Sequence, residues 1–172
     1  MDKTYTASAL GISFASNKSL LGIYNAHGTR KVKIYRVWVL NNQTSAVAGV
    51  ITTMTLRKLS NLTGGTAITP AQHNTGNTSV DLTSITCVTN GTATNTSDNA
   101  LRQLIWSGDE PAVSSATSDE LQCIIPLMCI WDSTGDSNIE PITLNTNEGI
   151  SVTQPGTNAV GILDIFIEFT VS

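Results

Sequence analysis

Two histidines, three cysteines and a few clusters of carboxylates are what this 172-residue chain offers to acid–base, nucleophilic or metal chemistry. A Ser-His-Asp arrangement needs an imidazole oriented against a presented hydroxyl. His27 falls in the turn His27-Gly28-Thr29-Arg30, and His73 in a polar loop that runs to Ser79, so both read as solvated loop residues. Asp109 and Glu110 are adjacent, whereas glycoside cleavage needs two carboxylates facing each other across a bond. Neighbours on a strand point to opposite faces, so this pair reads as an acidic surface loop. The run Asp132-Ser-Thr-Gly-Asp136-Ser-Asn138-Ile-Glu140 sets oxygens at alternating positions around a glycine. Calcium takes roughly six to eight such ligands, but the order is not that of an EF-hand loop, and Asp, Ser and Gly are also the residues of any tight turn. Trp38, Trp106 and Trp131 could line a sugar-binding face; lying in or at the end of apolar strands, they read as core or interface packing. G-x-S-x-G, H-E-x-x-H and P-loop spacings are absent. The sequence therefore assigns no catalytic, cofactor-binding or metal residue and implies no cofactor; the chain reads as a non-enzyme.

The elements that would carry these residues are strands. Ala159 to Val171 reads AVGILDIFIEFTV, with Gly161, Leu163, Ile165, Ile167, Phe169 and Val171 on one face and Asp164, Phe166, Glu168 and Thr170 on the other. Period-2 alternation of this length predicts a half-buried strand whose apolar face needs a second sheet as a lid. Leu20 to Ala26 predicts a short strand. Lys31 to Leu40 places Val32, Ile34 and Trp38 against Tyr35, Val37 and Val39, and Val50 to Leu59 alternates in turn; around Asn41 to Thr44 the two read as a hairpin. Residues 1–19 read as an N-terminal arm or edge strand, and 90–99 (NGTATNTSDN) as an exposed loop. Leu121 to Trp131 is apolar almost throughout but is broken or bulged at Pro126, which cannot donate to a ladder. Eight to ten short strands without a helix predict one all-β domain, a two-sheet antiparallel β-sandwich of jelly-roll type spanning residues 1–172.

Charged residues make up only 13% of the chain, about half the usual share. Such a surface suits a protein covered by copies of itself or by partners. Residues 1–60 hold eight bases against one acid, a balance of +7, and residues 61–172 hold Arg102 against twelve acids, a balance of −11. Either early basic strands lie beside late acidic ones within one sandwich, or a basic face of one subunit meets an acidic face of the next. Nucleic acid is a poor partner for an acidic chain with 5% aromatic residues. No apolar run reaches the ~18 residues of a membrane span. Cys87, Cys123 and Cys129 show no C-x-x-C spacing, and Cys123 and Cys129 lie in an apolar run; all three are expected to be reduced, structural and intracellular.

Several stretches resemble small β-rich structural proteins of tailed bacteriophages: Leu20 to Leu59, Gly64 to Asn74 (GGTAITPAQHN), Leu104 to Pro111 (LIWSGDEP), Ile125 to Val152, and the ending AVGILDIFIEFTV. The resemblance implies a virion component made in the host cytoplasm. In this reading it decorates or cements the outer capsid shell as a homotrimer, its partners being itself and the major capsid protein or another virion protein, with neither nucleic acid nor membrane bound. The alternative is a phage tail- or fibre-associated β-sandwich that binds a receptor or carbohydrate.

Overall fold

The computed structural model describes residues 3–42, 51–75, 82, 84–95, 100–107, 128–154 and 161–172, with only the backbone at 51, 52, 106 and 107. Among them are twelve strands and no helix. In chain order they are β1 (Lys3–Ser13), β2 (Ser19–Asn25), β3 (Val32–Asn41), β4 (Ile51–Thr63), β5 (Thr66–Ala67), β6 (Ala71–Gln72), β7 (Ile85–Asn95), β8 (Arg102–Ser107), β9 (Met128–Asp132), β10 (Ile142–Leu144), β11 (Glu148–Thr153) and β12 (Ile162–Val171).

The pairings are nested and all antiparallel. β1 pairs with β12, β2 with β11, β3 with β10 and β9, and β4 with β8. The chain is thus a long antiparallel ribbon doubled on itself and rolled up, which is the jelly-roll winding. One sheet runs β10-β3-β12-β1-β6, with β9 continuing the β10 edge of β3; the other runs β5-β7-β2-β11-β4-β8. Their inner faces enclose the core.

The expected hairpin between β3 and β4 does not form. β3 belongs to the first sheet and β4 to the second. β3 is paired instead with β12, β10 and β9, and β4 with β11, β8 and β7, so their apolar faces meet across the core. The expected loop at 90–99 is also corrected: β7 runs through Asn90 to Asn95. It pairs with β2 over Ile85 to Gly91, then with the end of β4 over Thr92 to Asn95. β7, β2, β11 and β4 therefore form a closed hydrogen-bonded ring, in which Leu59, Leu62 and Val88 make a second small core with Tyr24 and Ala93 packed against it. Two glycines permit this closure. A Cβ on Gly22 would lie 2.9 Å from Leu62 Cδ2, and Gly65, at φ +81°, passes close to the Thr89 carbonyl. The expected strand at Thr66 to Thr69 is shorter, Thr66–Ala67, and is joined by β6. β1, the segment expected as an arm or edge, is hydrogen-bonded to β12 along its length and to β6 at Tyr5 and Thr6. The insertion β5 to β7 thus adds a strand outside β1 in one sheet and outside β2 in the other, covering edges that would otherwise be open.

The main core is centred on β12, whose Leu163, Ile165, Ile167, Phe169 and Val171 are buried as the alternation predicts. Tyr5 stacks on Phe169 at 5.6 Å between ring centroids. Leu21, Ile23, Met54, Leu56, Ile150 and Val152 meet them from the second sheet. The opposite face of β12 is less open than its composition suggests. Asp164 is buried, accepting from Gly11 N at 2.6 Å and Asn42 Nδ2 at 3.1 Å. Those contacts follow from a bulge in β1 between Ala9 and Ile12, where Gly11 adopts φ +60°.

The winding also accounts for the split in charge, because it sets early strands beside late ones. Arg36 on β3 faces Glu168 (3.5 Å) and Asp132 (3.6 Å), and Lys58 on β4 faces Glu148 (3.7 Å). Each pair joins a base from the first third to an acid from the rest, within one chain. All are partly exposed, so each adds little stability.

Phe169 and Phe166 sit three residues apart on β12 but on opposite faces of the sheet. Phe169→Ala is expected to cost about 3–5 kcal/mol in urea unfolding, and Phe166→Ala about 1 kcal/mol or less. Equal losses would contradict the assignment of faces.

Candidate functional site

The residues that sequence reasoning singled out for chemistry are scattered, and most are occupied by local structure. His27 Nδ1 accepts from Thr29 N (3.2 Å) and Arg30 N (3.1 Å), so the ring closes its own turn. This requires the proton on Nε2. The turn is pinned from below by Asn25, a fully buried side chain whose Nδ2 donates to the carbonyls of Arg30, Leu144 and Asn145, while its Oδ1 accepts from His27 N. Asp132 Oδ1 accepts from both N and Oγ1 of Thr134 at 2.7 Å, and Asp136 Oδ1 accepts from Asn138 N at 2.8 Å. These are Asx turns, each carboxylate closing its own loop two residues on. The Thr134 hydrogen bonds, with Arg36 adding a smaller effect, hold Asp132 below the usual carboxylate range. Among the described residues no three His, Cys, Asp or Glu side chains gather to hold a metal ion. Asp109, Glu110, Cys123 and Pro126 lie outside the described residues, as does the side chain of Trp106. Trp131 packs half-buried against the core with the Arg102 guanidinium 5.6 Å from its ring.

The outer face of the first sheet gathers side chains instead. A bulge in β3 sets it up. Arg36 lies opposite Glu168 while Ile34 lies opposite Phe169, so Tyr35 is an extra residue in a bulge. Val32, Ile34, Val37 and Val39 consequently all face the core, and Trp38 faces outward. This corrects the assignment of Trp38 to the face of Val32 and Ile34, which assumed an unbroken alternation. The Tyr35 carbonyl freed by the bulge accepts from Ser133 N (2.9 Å) and Ser133 Oγ (3.2 Å), in the joint between β9 and β10.

Three rows then cross the sheet. Thr6, Glu168, Arg36 and Asp132 form a charged row. Beside it Ser8, Phe166, Trp38 and Cys129 form an aromatic row. On the other side lie Thr4, Thr170, Lys33 and Thr143. The Arg36 guanidinium sits 5.5 Å from the Trp38 ring centre, bridging the first two rows. Nε and Nη2 of Arg36 both donate to Thr134 Oγ1, at 3.1 and 2.7 Å. His73, just past β6, joins the charged row through its N–H to the Thr4 carbonyl (3.1 Å) and Nε2 to Thr6 Oγ1 (2.6 Å). Together Thr4, Tyr35, Arg36, His73, Thr134, Glu168 and Thr170 line an open groove of about 560 Å³. Leu10, 64% exposed at the β1 bulge, and half-buried Leu40 extend the apolar side of this face.

The sequence carries one sign of this site. The apolar positions of β3 step by two, then by three from Ile34 to Val37, then by two again. A step of three in a strand marks a bulge. Nothing local places His73 or Thr134 beside Arg36, because both arrive from other parts of the ribbon.

The cysteines divide. Cys87 is buried, and burial pushes its thiol up to about 12. Cys129, expected in the core, is exposed opposite Trp38, because Ile130 is an extra residue in a bulge of β9 that keeps its own side chain in the core and turns Cys129 outward. Its pKa is raised as well, first by partial desolvation and then by the Asp132 carboxylate. Comparison with protein-family models, curated proteins and solved structures finds no match for this chain.

The thiolate is the reactive form, so both described cysteines react slowly at neutral pH and faster as pH rises. Iodoacetamide treatment of the native protein at mildly alkaline pH, followed by peptide mass spectrometry, is expected to modify Cys129 and spare Cys87. Comparable labelling of Cys87 would contradict its burial.

Proposed function

We propose that this chain is a structural component of a tailed-bacteriophage virion that decorates or cements the outer capsid shell as a homotrimer. Its partners are then further copies of itself and the major capsid protein or another virion protein. The observation that carries this reading is the apolar side of the first sheet's outer face, where Phe166 pairs with Trp38, Leu40 follows on the same side of β3 and Leu10 stands exposed at the β1 bulge, in a chain with few charges. Apolar side chains gathered on one outer face, Leu10 exposed and the other three partly so, suit a contact with another macromolecule. The stretches that resemble phage structural proteins support the same reading, and the jelly-roll winding is one that recurs in capsid and lectin domains. A fold alone does not assign a function, so the weight rests on the face and the resemblance.

The mechanism is mass action. A protein that binds only the assembled shell stabilises it by the free energy of that binding. The contacts would be mainly apolar, because the described ion pairs are made within the chain. A head-to-tail electrostatic contact between subunits is therefore not part of the proposal.

A second reading, a tail- or fibre-associated module that binds receptor carbohydrate, is favoured by the groove beside that apolar surface.

Peptides of this chain are expected in density-gradient-purified particles from the producing culture, in fixed ratio to the main shell protein. Phe166→Lys is expected to abolish that association while leaving the fold intact. A chain that stays in the soluble fraction, with particles complete without it, would contradict the reading.

A further inference from the structure

We propose that the groove on the outer face of the first sheet binds a neutral saccharide. The inference rests on the carbohydrate-binding reading and is independent of whether the chain is carried on a shell.

The chemistry of the lining selects the ligand class. Sugar hydroxyls each donate and accept, so a site for them needs both kinds of group at short spacing. Arg36 and Glu168, 3.5 Å apart, supply donors and acceptors side by side. The Thr4 hydroxyl, which also lines the groove, supplies both. Thr170 adds a specific observation: its Oγ1 is buried and makes no hydrogen bond, on a residue 7% exposed that lines the groove. A buried hydroxyl without a partner is costly, and a ligand hydroxyl at that point would satisfy it. Tyr35, displaced outward by the bulge, lines the groove and offers an aromatic surface to the apolar face of a sugar ring.

Charge argues against other ligands. On this part of the face Arg36 and Lys33 are balanced by Glu168 and Asp132. Arg36 already faces two carboxylates, so a phosphate, sulfate or uronate would meet Glu168 and Asp132 beside any cation it reached. An apolar ligand would have to cover Thr4 and Thr170 and leave their hydroxyls unsatisfied. The site is also braced before any ligand arrives. Trp38 lies against the Arg36 guanidinium, Thr134 accepts from it twice, and Thr6 fixes His73. Preorganised groups of this kind lower the ordering cost of binding.

The test is a two-dimensional 15N NMR titration of the full chain with glucose, galactose, mannose and N-acetylglucosamine in turn. At least one sugar is expected to give saturable shifts confined to the backbone amides of Tyr35, Arg36, His73, Thr134, Glu168 and Thr170. Tyr35→Ala and the isosteric Glu168→Gln are each expected to weaken that sugar about tenfold, the size of one lost charge-assisted hydrogen bond or stacking contact, while Glu168→Gln keeps the wild-type spectrum elsewhere. Saturable shifts centred on other residues, or unchanged affinity in Glu168→Gln, would overturn the groove assignment and leave the carbohydrate-binding reading standing. No saturable shift with any of the four sugars would overturn both.

Discussion

β12 is hydrogen-bonded to β1 on one edge and to β3 on the other, with one face in the core and the other carrying the rows of the outer surface. The rest of the structure depends on that placement. A strand with five consecutive inward apolar residues can sit only in the middle of a sheet with a second sheet over it. Because β12 is last in sequence and lies between the first and third strands, the chain has to double back. Once β1 is fixed against β12, the same antiparallel logic sets β2 against β11, β3 against β10 and β4 against β8. Burial of one face of one strand thus propagates into the winding of the whole ribbon.

The same doubling explains what would otherwise look like a specialised charge pattern. A chain that is basic early and acidic late becomes, when folded in half, a set of alternating strands. Arg36 finds Glu168 and Asp132, and Lys58 finds Glu148, without a second subunit. What remains at the surface is short of charge, with an apolar strip and a polar groove side by side on one sheet. Both are products of bulges. The slip at Tyr35 turns Trp38 outward and opens the groove wall, and the slip at Leu10 and Gly11 exposes Leu10 while burying Asp164. Irregularities of register, rather than unusual residues, give this face its chemistry.

The fold class was legible in the sequence because strand alternation is a local property: Leu163 to Val171 identifies its inner face unaided. Connectivity was not, since alternation is silent about which sheet a strand joins; β3 and β4 look like a hairpin, yet they lie in different sheets. NGTATN reads as a loop on composition, yet Asn90, at φ +54°, and Gly91 let β7 bend from β2 onto the end of β4. Cys129 reads as a core residue because its neighbours are apolar, and the bulge at Ile130 reverses it. The candidate site was the least legible part. Its members come from β1, β3, β12 and the segments after β6 and β9, so no spacing along the chain could group them. The residues with chemical promise in the sequence were instead those that close turns, His27, Asp132 and Asp136, since the side chains that suit catalysis also suit local hydrogen bonding to the backbone.

The central claim is that the apolar side of this face is a contact surface and that early bases pair with late acids within the chain, as Arg36 and Lys58 do. Sedimentation analysis of the purified protein at low and high salt tests it most directly. The account predicts a closed oligomer, with three copies of the chain as the proposed number, whose mass does not change with salt because apolar burial holds it. A monomer at every concentration, or an oligomer that dissociates as salt rises, would contradict it.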